Sequence, residues 1–171
     1  MKQAFLKDEA FLDDVKKSWD EPAGFRLWWL GQSGFLLQWN SKHVLLDPYL
    51  SDSLTHKYEN SDKPHVRITE KVIDPERLNF IDVVTSSHNH TDHLDAETLW
   101  PLMKQNPNLT IIVPEANLGF AAERLQCEED RFTGINDGST IEIAGFEFTG
   151  VPAAHEEIIK DEQGHTHHLG Y

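Results

Sequence analysis

The chain has 171 residues, 29 acidic against 15 basic, for a formal net charge of −14. That length suits one domain with a real core and excludes two of ordinary size, and 39% apolar with 26% charged residues excludes a disordered chain. So acidic a surface repels phosphate backbones and anionic lipid, so neither nucleic acid nor membrane is expected as a partner, whereas one or two divalent cations would offset part of the charge.

Residues 4–19 place Phe5, Leu12, Val15 and Trp19 at helical spacing with Asp and Lys mostly on the other side, which predicts an amphipathic N-terminal helix in segment 1–20 of a single domain over 1–171. Glu21-Pro22-Ala23-Gly24 should end it. The interleaved charges do not make a signal peptide, nothing approaches a membrane span, and Cys127 is the only cysteine. A cytoplasmic protein without disulfides or a cysteine-rich zinc site is expected.

Three short β-rich runs follow, Phe25 to Leu30, Phe35 to Trp39 and His43 to Leu46, separated by turn residues; they predict an antiparallel meander. The last runs into Asp47-Pro48-Tyr49. Alone, Asp47 reads as a turn-initiating aspartate before proline. Ser51 to Ile73 is polar and reads as a long loop, in which His56, Lys57, Tyr58 and His65 are candidates to touch substrate, although solvation accounts for each. Asp74-Pro75 opens a short helical turn, and Ile81 to Thr85 is a strand.

That strand ends in Ser86-Ser87-His88-Asn89-His90-Thr91-Asp92-His93. Neutral imidazole and carboxylate are ligands that borderline divalent metals prefer, and so dense a set after an apolar strand points to a metal-binding loop. Asp95 then caps a helix that holds Pro101, Thr110 to Val113 is a strand, and Ala116 to Leu125 is helical, an order that argues an α/β layer arrangement. Ile135 to Ser139 reads as a turn, Thr140 to Thr149 as a hairpin around Ala144-Gly145, and Val151 to His155 as a strand ending on a histidine. The remaining stretch to His168 reads as a solvated tail.

In an extended segment His88 and His90 project together, and His155, at another strand end behind two alanines, is the best third ligand. Three histidines with an open position describe a catalytic site. Asp92 and His93 face a second position, and Asp92 could orient the attacking water or carry a proton to the leaving group. No covalent nucleophile is needed, and Cys127 reads as a structural thiol.

His88-Asn89-His90-Thr91-Asp92-His93 resembles the signature of the metallo-β-lactamase fold hydrolases, and His155 falls where that family's next histidine ligand is expected. Leu30-Gly31-Gln32-Ser33-Gly34-Phe35 and Leu45-Leu46-Asp47-Pro48-Tyr49 resemble the early strands of the branch with ascorbate-6-phosphate lactonase-like enzymes and phospholipase D-like members acting on N-acyl phosphatidylethanolamines. The resemblance implies an α/β, αββα sandwich and a hydrolase of a small ester, lactone or phosphodiester-type molecule. It also implies zinc, manganese or iron as cofactor and a supporting role for Asp47 behind the motif loop. The family's bridging aspartate and last histidine have no match after His155. The expectation is therefore the first half of the sandwich plus the start of the second, with a companion segment or a homo-oligomer completing it. Without that completion, the alternative is a catalytically incompetent metal-binding half-domain.

Overall fold

β1 (Phe25–Gly31), β2 (Gly34–Trp39) and β3 (Lys42–Leu46) form the antiparallel meander, and β4 (Val83–Thr85), β5 (Thr110–Pro114) and β6 (Phe132–Ile135) extend it in parallel. The result is one six-stranded mixed sheet in the order β1-β2-β3-β4-β5-β6. This computed structural model describes residues 1–19 and 24–171, so the helix end expected at Glu21, Pro22 and Ala23 lies outside the described residues.

The middle strands are apolar on both sides because both sides are covered. Leu45, Val84, Ile111 and Val113 pack into one core, while their neighbours Val44, Val83 and Ile112 pack into another on the opposite face. Side chains in a strand alternate between faces, and a parallel strand roofed on both sides reads as a continuous apolar run. The first core is closed by α1 (Asp8–Lys17), α3 (Ala96–Gln105) and α4 (Leu118–Leu125), through Phe11, Leu12, Val15, Leu99, Leu102, Ala121 and Leu125. The second is roofed by the hairpin β7 (Thr140–Ile143) and β8 (Phe146–Thr149) and by the pair β9 (Val151–Pro152) and β10 (Leu169–Gly170), which contribute Phe148 and Leu169. Burying a side chain such as Leu, Ile or Phe stabilises by about 1.5–3 kcal/mol, so these two clusters outweigh any surface ion pair in holding the sheet.

Several expectations change on folding. The N-terminal helix begins at Asp8 rather than near residue 4, and Phe5 is 99% exposed instead of lying on the buried face. The first residues are extended because Lys2 bonds across to the 68–70 segment: its amide donates to the Ile68 carbonyl (2.6 Å) and its carbonyl accepts from Glu70 (2.8 Å). The loop from Ser51 to Ile73 contains a short helix, α2 (Ser53–Tyr58). Strand β6 was not expected, since Phe132-Thr-Gly-Ile carries only two large apolar residues and its place is set by pairing with β5. The tail is not free either: the Ala153 amide donates to the His168 carbonyl (2.9 Å) and the Leu169 amide to the Ser87 carbonyl (2.9 Å), which draws residues 168–171 back onto the sheet. The hairpin turn does fall at Ala144 and Gly145, with φ of 55° and 83°, the left-handed pair that a two-residue hairpin turn demands.

Candidate metal centre

Parallel pairing decides where the chemistry collects. Leu46 pairs with Thr85 and Thr85 with Ile112, so β3, β4 and β5 end at one edge of the sheet. Asp47 leaves the end of β3 and the histidine loop leaves the end of β4, side by side. In open α/β sheets this carboxyl edge is where ligands bind.

Asp47 is held with φ at 43°, in the left-handed region that aspartate tolerates better than most residues. Its Oδ1 accepts the Ser87 amide (2.9 Å) and the Thr85 hydroxyl (3.2 Å), and its Oδ2 accepts the Ser87 hydroxyl and lies 2.6 Å from His93 Nδ1. One carboxylate thereby fixes both the start and the end of the loop. Ser33, on the β1–β2 turn, adds a clasp by donating to the carbonyls of Asp47 (3.2 Å) and Asp92 (3.0 Å). With Nδ1 engaged on Asp47, His93 turns Nε2 toward Asp92 Oδ2, 3.7 Å away.

His88 Nε2 and His90 Nδ1 face each other at 3.0 Å. Two nitrogens bound to one tetrahedral zinc at about 2.0–2.1 Å stand about 3.3–3.4 Å apart, so this pair needs to open by only a few tenths of an ångström to share an ion. The His155 ring is 5.2 Å from that of His90, and the His93 ring is 4.1 Å from that of His88. All five expected ligands, His88, His90, Asp92, His93 and His155, thus gather at the edge that Asp47 supports. Among the described residues, however, no three such groups already form a closed cage; the donors stand as adjacent pairs.

Electrostatics favour a neutral His88 at the centre. Burial, followed by the neighbouring His93, His90 and His168, pushes His88 down to about 4. An imidazole that stays neutral keeps its lone pair for a metal. Burial also pulls His93 down, but the hydrogen bond and charge of Asp47 outweigh it and hold His93 above the usual histidine range.

His168, expected from the sequence to lie in a solvated tail, comes back to the site. Its ring lies 5.0 Å from His88 and 6.3 Å from both His90 and His155, its Nδ1 is buried without a partner, and burial and the surrounding histidines depress its pKa. It is delivered by the β9–β10 pairing and by Asn117, whose side chain donates to the His167 carbonyl (2.9 Å). The Leu-Gly-Tyr that follows, with Leu169 buried and the Tyr171 hydroxyl donating to the Ser86 carbonyl (3.1 Å), was the signal that this stretch is anchored. His165 and His167 point elsewhere, His165 toward Asp161 and Glu115 and His167 toward Asn117. Cys127 is a free, partly buried thiol packed against the helix-side core, with its pKa raised by burial.

A mixed sheet layered by helices on one face and by hairpins on the other, with a His-rich loop at its carboxyl edge, is the architecture of the metallo-β-lactamase fold. The chain belongs to the β-lactamase superfamily domain family, whose model matches residues 26–169. It is similar to a UPF0173 metal-dependent hydrolase of Saccharolobus solfataricus, 24% identical over 143 residues that make up 81% of this chain and 54% of that protein. It is also similar to the mitochondrial N-acyl-phosphatidylethanolamine-hydrolyzing phospholipase D of Saccharomyces cerevisiae, 39% identical over 71 residues, 42% of this chain and 14% of that one. Among solved structures, CmlA, a diiron β-hydroxylase from Streptomyces venezuelae, superposes with a TM-score of 0.58 at 20% identity over 85% of this chain and 27% of that chain, a likeness of fold. The chain spans about half the length of the first curated relatives it matches.

Proposed function

We propose that this chain carries the metal-binding part of a hydrolase centre that cleaves a small ester, lactone or phosphodiester-type substrate. The observation that carries the reading is the convergence of His88, His90, Asp92, His93 and His155 on the edge organised by Asp47. The names of the archaeal relatives support it, as does the phospholipase D among the partial matches.

His88, His90 and His155 would hold one ion and Asp92 with His93 a second, zinc and manganese suiting this mixed nitrogen and oxygen set, and iron too. When bound, such cations supply Lewis acidity and make water a nucleophile at neutral pH. Asp47 fixes the tautomer of His93 by holding Nδ1, leaving Nε2 as the donor to the site. Asp92 is the one carboxylate of the loop, and it serves both as ligand and as the group that takes a proton from the attacking water or hands one to the leaving group. A lone unpaired cysteine supports a cytoplasmic location; among the described residues no helix is long and apolar enough to cross a membrane.

A specific observation favours a second reading, in which the centre works only when another polypeptide segment or a second copy completes the fold. Phe25, Leu27 and Trp29 on β1 and Trp39 on β2 expose 66, 52, 50 and 39% of their surface on one face of the sheet. That face continues the core under β7 and β8, where Trp39 meets Phe146 edge-on at 5.6 Å. Elemental analysis of the purified chain, combined with a panel of ester, lactone and phosphodiester substrates, separates the two. Bound metal with turnover that disappears in His90→Ala supports an active hydrolase; metal without turnover supports the incomplete centre; no bound metal overturns both.

A further inference from the structure

A cleft opens directly beside the histidine loop, lined on one side by α2 and on the other by α4 and reaching His90 and Asp92. Its volume is about 390 Å³, within the range of a small-molecule site. Two of its walls are aromatic, Tyr58 and Phe120, and two of its side chains are basic, Lys57 and Arg124. In a chain of net charge −14, two cations facing one cleft need a reason.

Among the described residues neither has a carboxylate within ion-pair distance, although the buried Asp95 lies near enough to favour the Arg124 charge. Lys57 Nζ reaches only the Thr91 hydroxyl, at 3.4 Å, which puts its charge on the residue between His90 and Asp92. It also lies 5.3 Å from the Tyr58 ring centre. Arg124 uses Nη1 to donate to the carbonyls of Asn89 (2.7 Å) and Leu94 (3.1 Å), pinning both ends of the loop, and its guanidinium stacks on Phe120 at 4.4 Å. Its charge is therefore half-buried and fixed, while that of Lys57 stands on a flexible stem at the mouth. Asp92, which lines the inner end of the cleft, has its Oδ2 3.7 Å from His93 Nε2, so that carboxylate has a histidine partner of its own.

We propose that this cleft is the recognition site for an anionic group on the substrate, a carboxylate or a phosphoryl group next to an apolar or aromatic portion. Lys57 makes the direct contact, Arg124 positions the loop and adds fixed positive potential, and Tyr58 and Phe120 cover the apolar part. The proposal rests on the hydrolase reading for the word substrate, since the anion would hold the scissile bond over His90; the cleft's preference for anions is testable by itself. The short helix α2 in the polar 51–73 loop is the element that brings Lys57 and Tyr58 to the cleft beside His90.

The test is a titration of the ¹⁵N-labelled chain, as isolated and with its metal content measured, against benzoate, phenyl phosphate and the neutral benzamide. Amide shifts are followed at residues 57–58, 91 and 120–124. Saturable shifts with benzoate or phenyl phosphate at least tenfold tighter than with benzamide are expected, and the tighter of the two acids identifies the group as carboxylate or phosphoryl. Lys57→Gln should weaken the preferred acid about tenfold and Lys57→Arg should retain it, with metal content equal in all three proteins. Equal binding of benzamide, binding untouched by Lys57→Gln, or no binding of either acid overturns the proposal. Failure of the hydrolase reading shows separately, as loss of metal or turnover while anion binding persists.

Discussion

At the scale of single residues, Asp47 has the largest reach, because four donors from Thr85, Ser87 and His93 end on its two oxygens. Asp47→Asn keeps the shape but removes the charge and turns one acceptor into a donor aimed at groups that also donate. Metal affinity should fall about 10- to 100-fold, measured by competition with a chromophoric chelator, while the midpoint of urea unfolding of the metal-free chain moves far less; unchanged affinity would refute the supporting role. A second residue ties stability to pH. His43 is buried between Trp19 and Phe80, its Nε2 has no partner, and burial lowers its pKa, partly countered by Asp82. A histidine depressed in the folded state and ordinary, at about 6.5, in the unfolded state contributes stability above that pH and loses it as the pH falls toward the folded value. Unfolding free energy should therefore decline below about pH 6.5, and His43→Phe should flatten that decline; equal slopes in the two proteins would exclude His43 as its source.

At the scale of elements, the 51–73 segment depends on one buried arginine. Arg67 donates to the carbonyls of Ser51 (2.6 Å), Tyr49 (3.4 Å) and Thr69 (3.1 Å) and lies over the Tyr49 ring. Arg67→Met strands those acceptors and should cost about 1–3 kcal/mol in chemical denaturation, with early proteolysis within 51–73; a wild-type digestion pattern would show that α2 is held by other contacts. The base of the β7–β8 hairpin depends on close backbone approach. A Cβ at Gly150 would stand 2.4 Å from the Asn136 carbonyl oxygen. Gly150→Ala should destabilise by about 1–3 kcal/mol, because backbone rather than a movable side chain is in the way. The same geometry explains what the sequence concealed here. Alternation announced β7 and β8, but β6 and β10 have too few large side chains to stand out and exist because β5 and β9 offer them partners.

At the scale of the whole molecule, one face of the sheet is covered by helices and the other only in part. The exposed stripe of Phe25, Leu27, Trp29 and Trp39 is contiguous with the core under the hairpins, and apolar patches of this kind mark interaction surfaces. Association that grows with concentration is expected in sedimentation velocity, and Leu27→Lys with Trp29→Lys should reduce it without lowering the thermal midpoint; a wild-type chain that stays monomeric across the micromolar range would leave the stripe without a self-partner. The sequence by itself determined the α/β class, the antiparallel meander, and the strand that delivers the histidines with the residue types gathered there, since periodicity and side-chain chemistry are local properties. Only the tertiary structure decided that β3, β4 and β5 end together, that Asp47 braces both ends of the loop, that His168 returns from the far end of the chain, and that Lys57 and Arg124 face one cleft. Those juxtapositions join residues dozens of positions apart, and they arise from strand order and from which faces bury apolar surface, which no window of neighbouring residues contains.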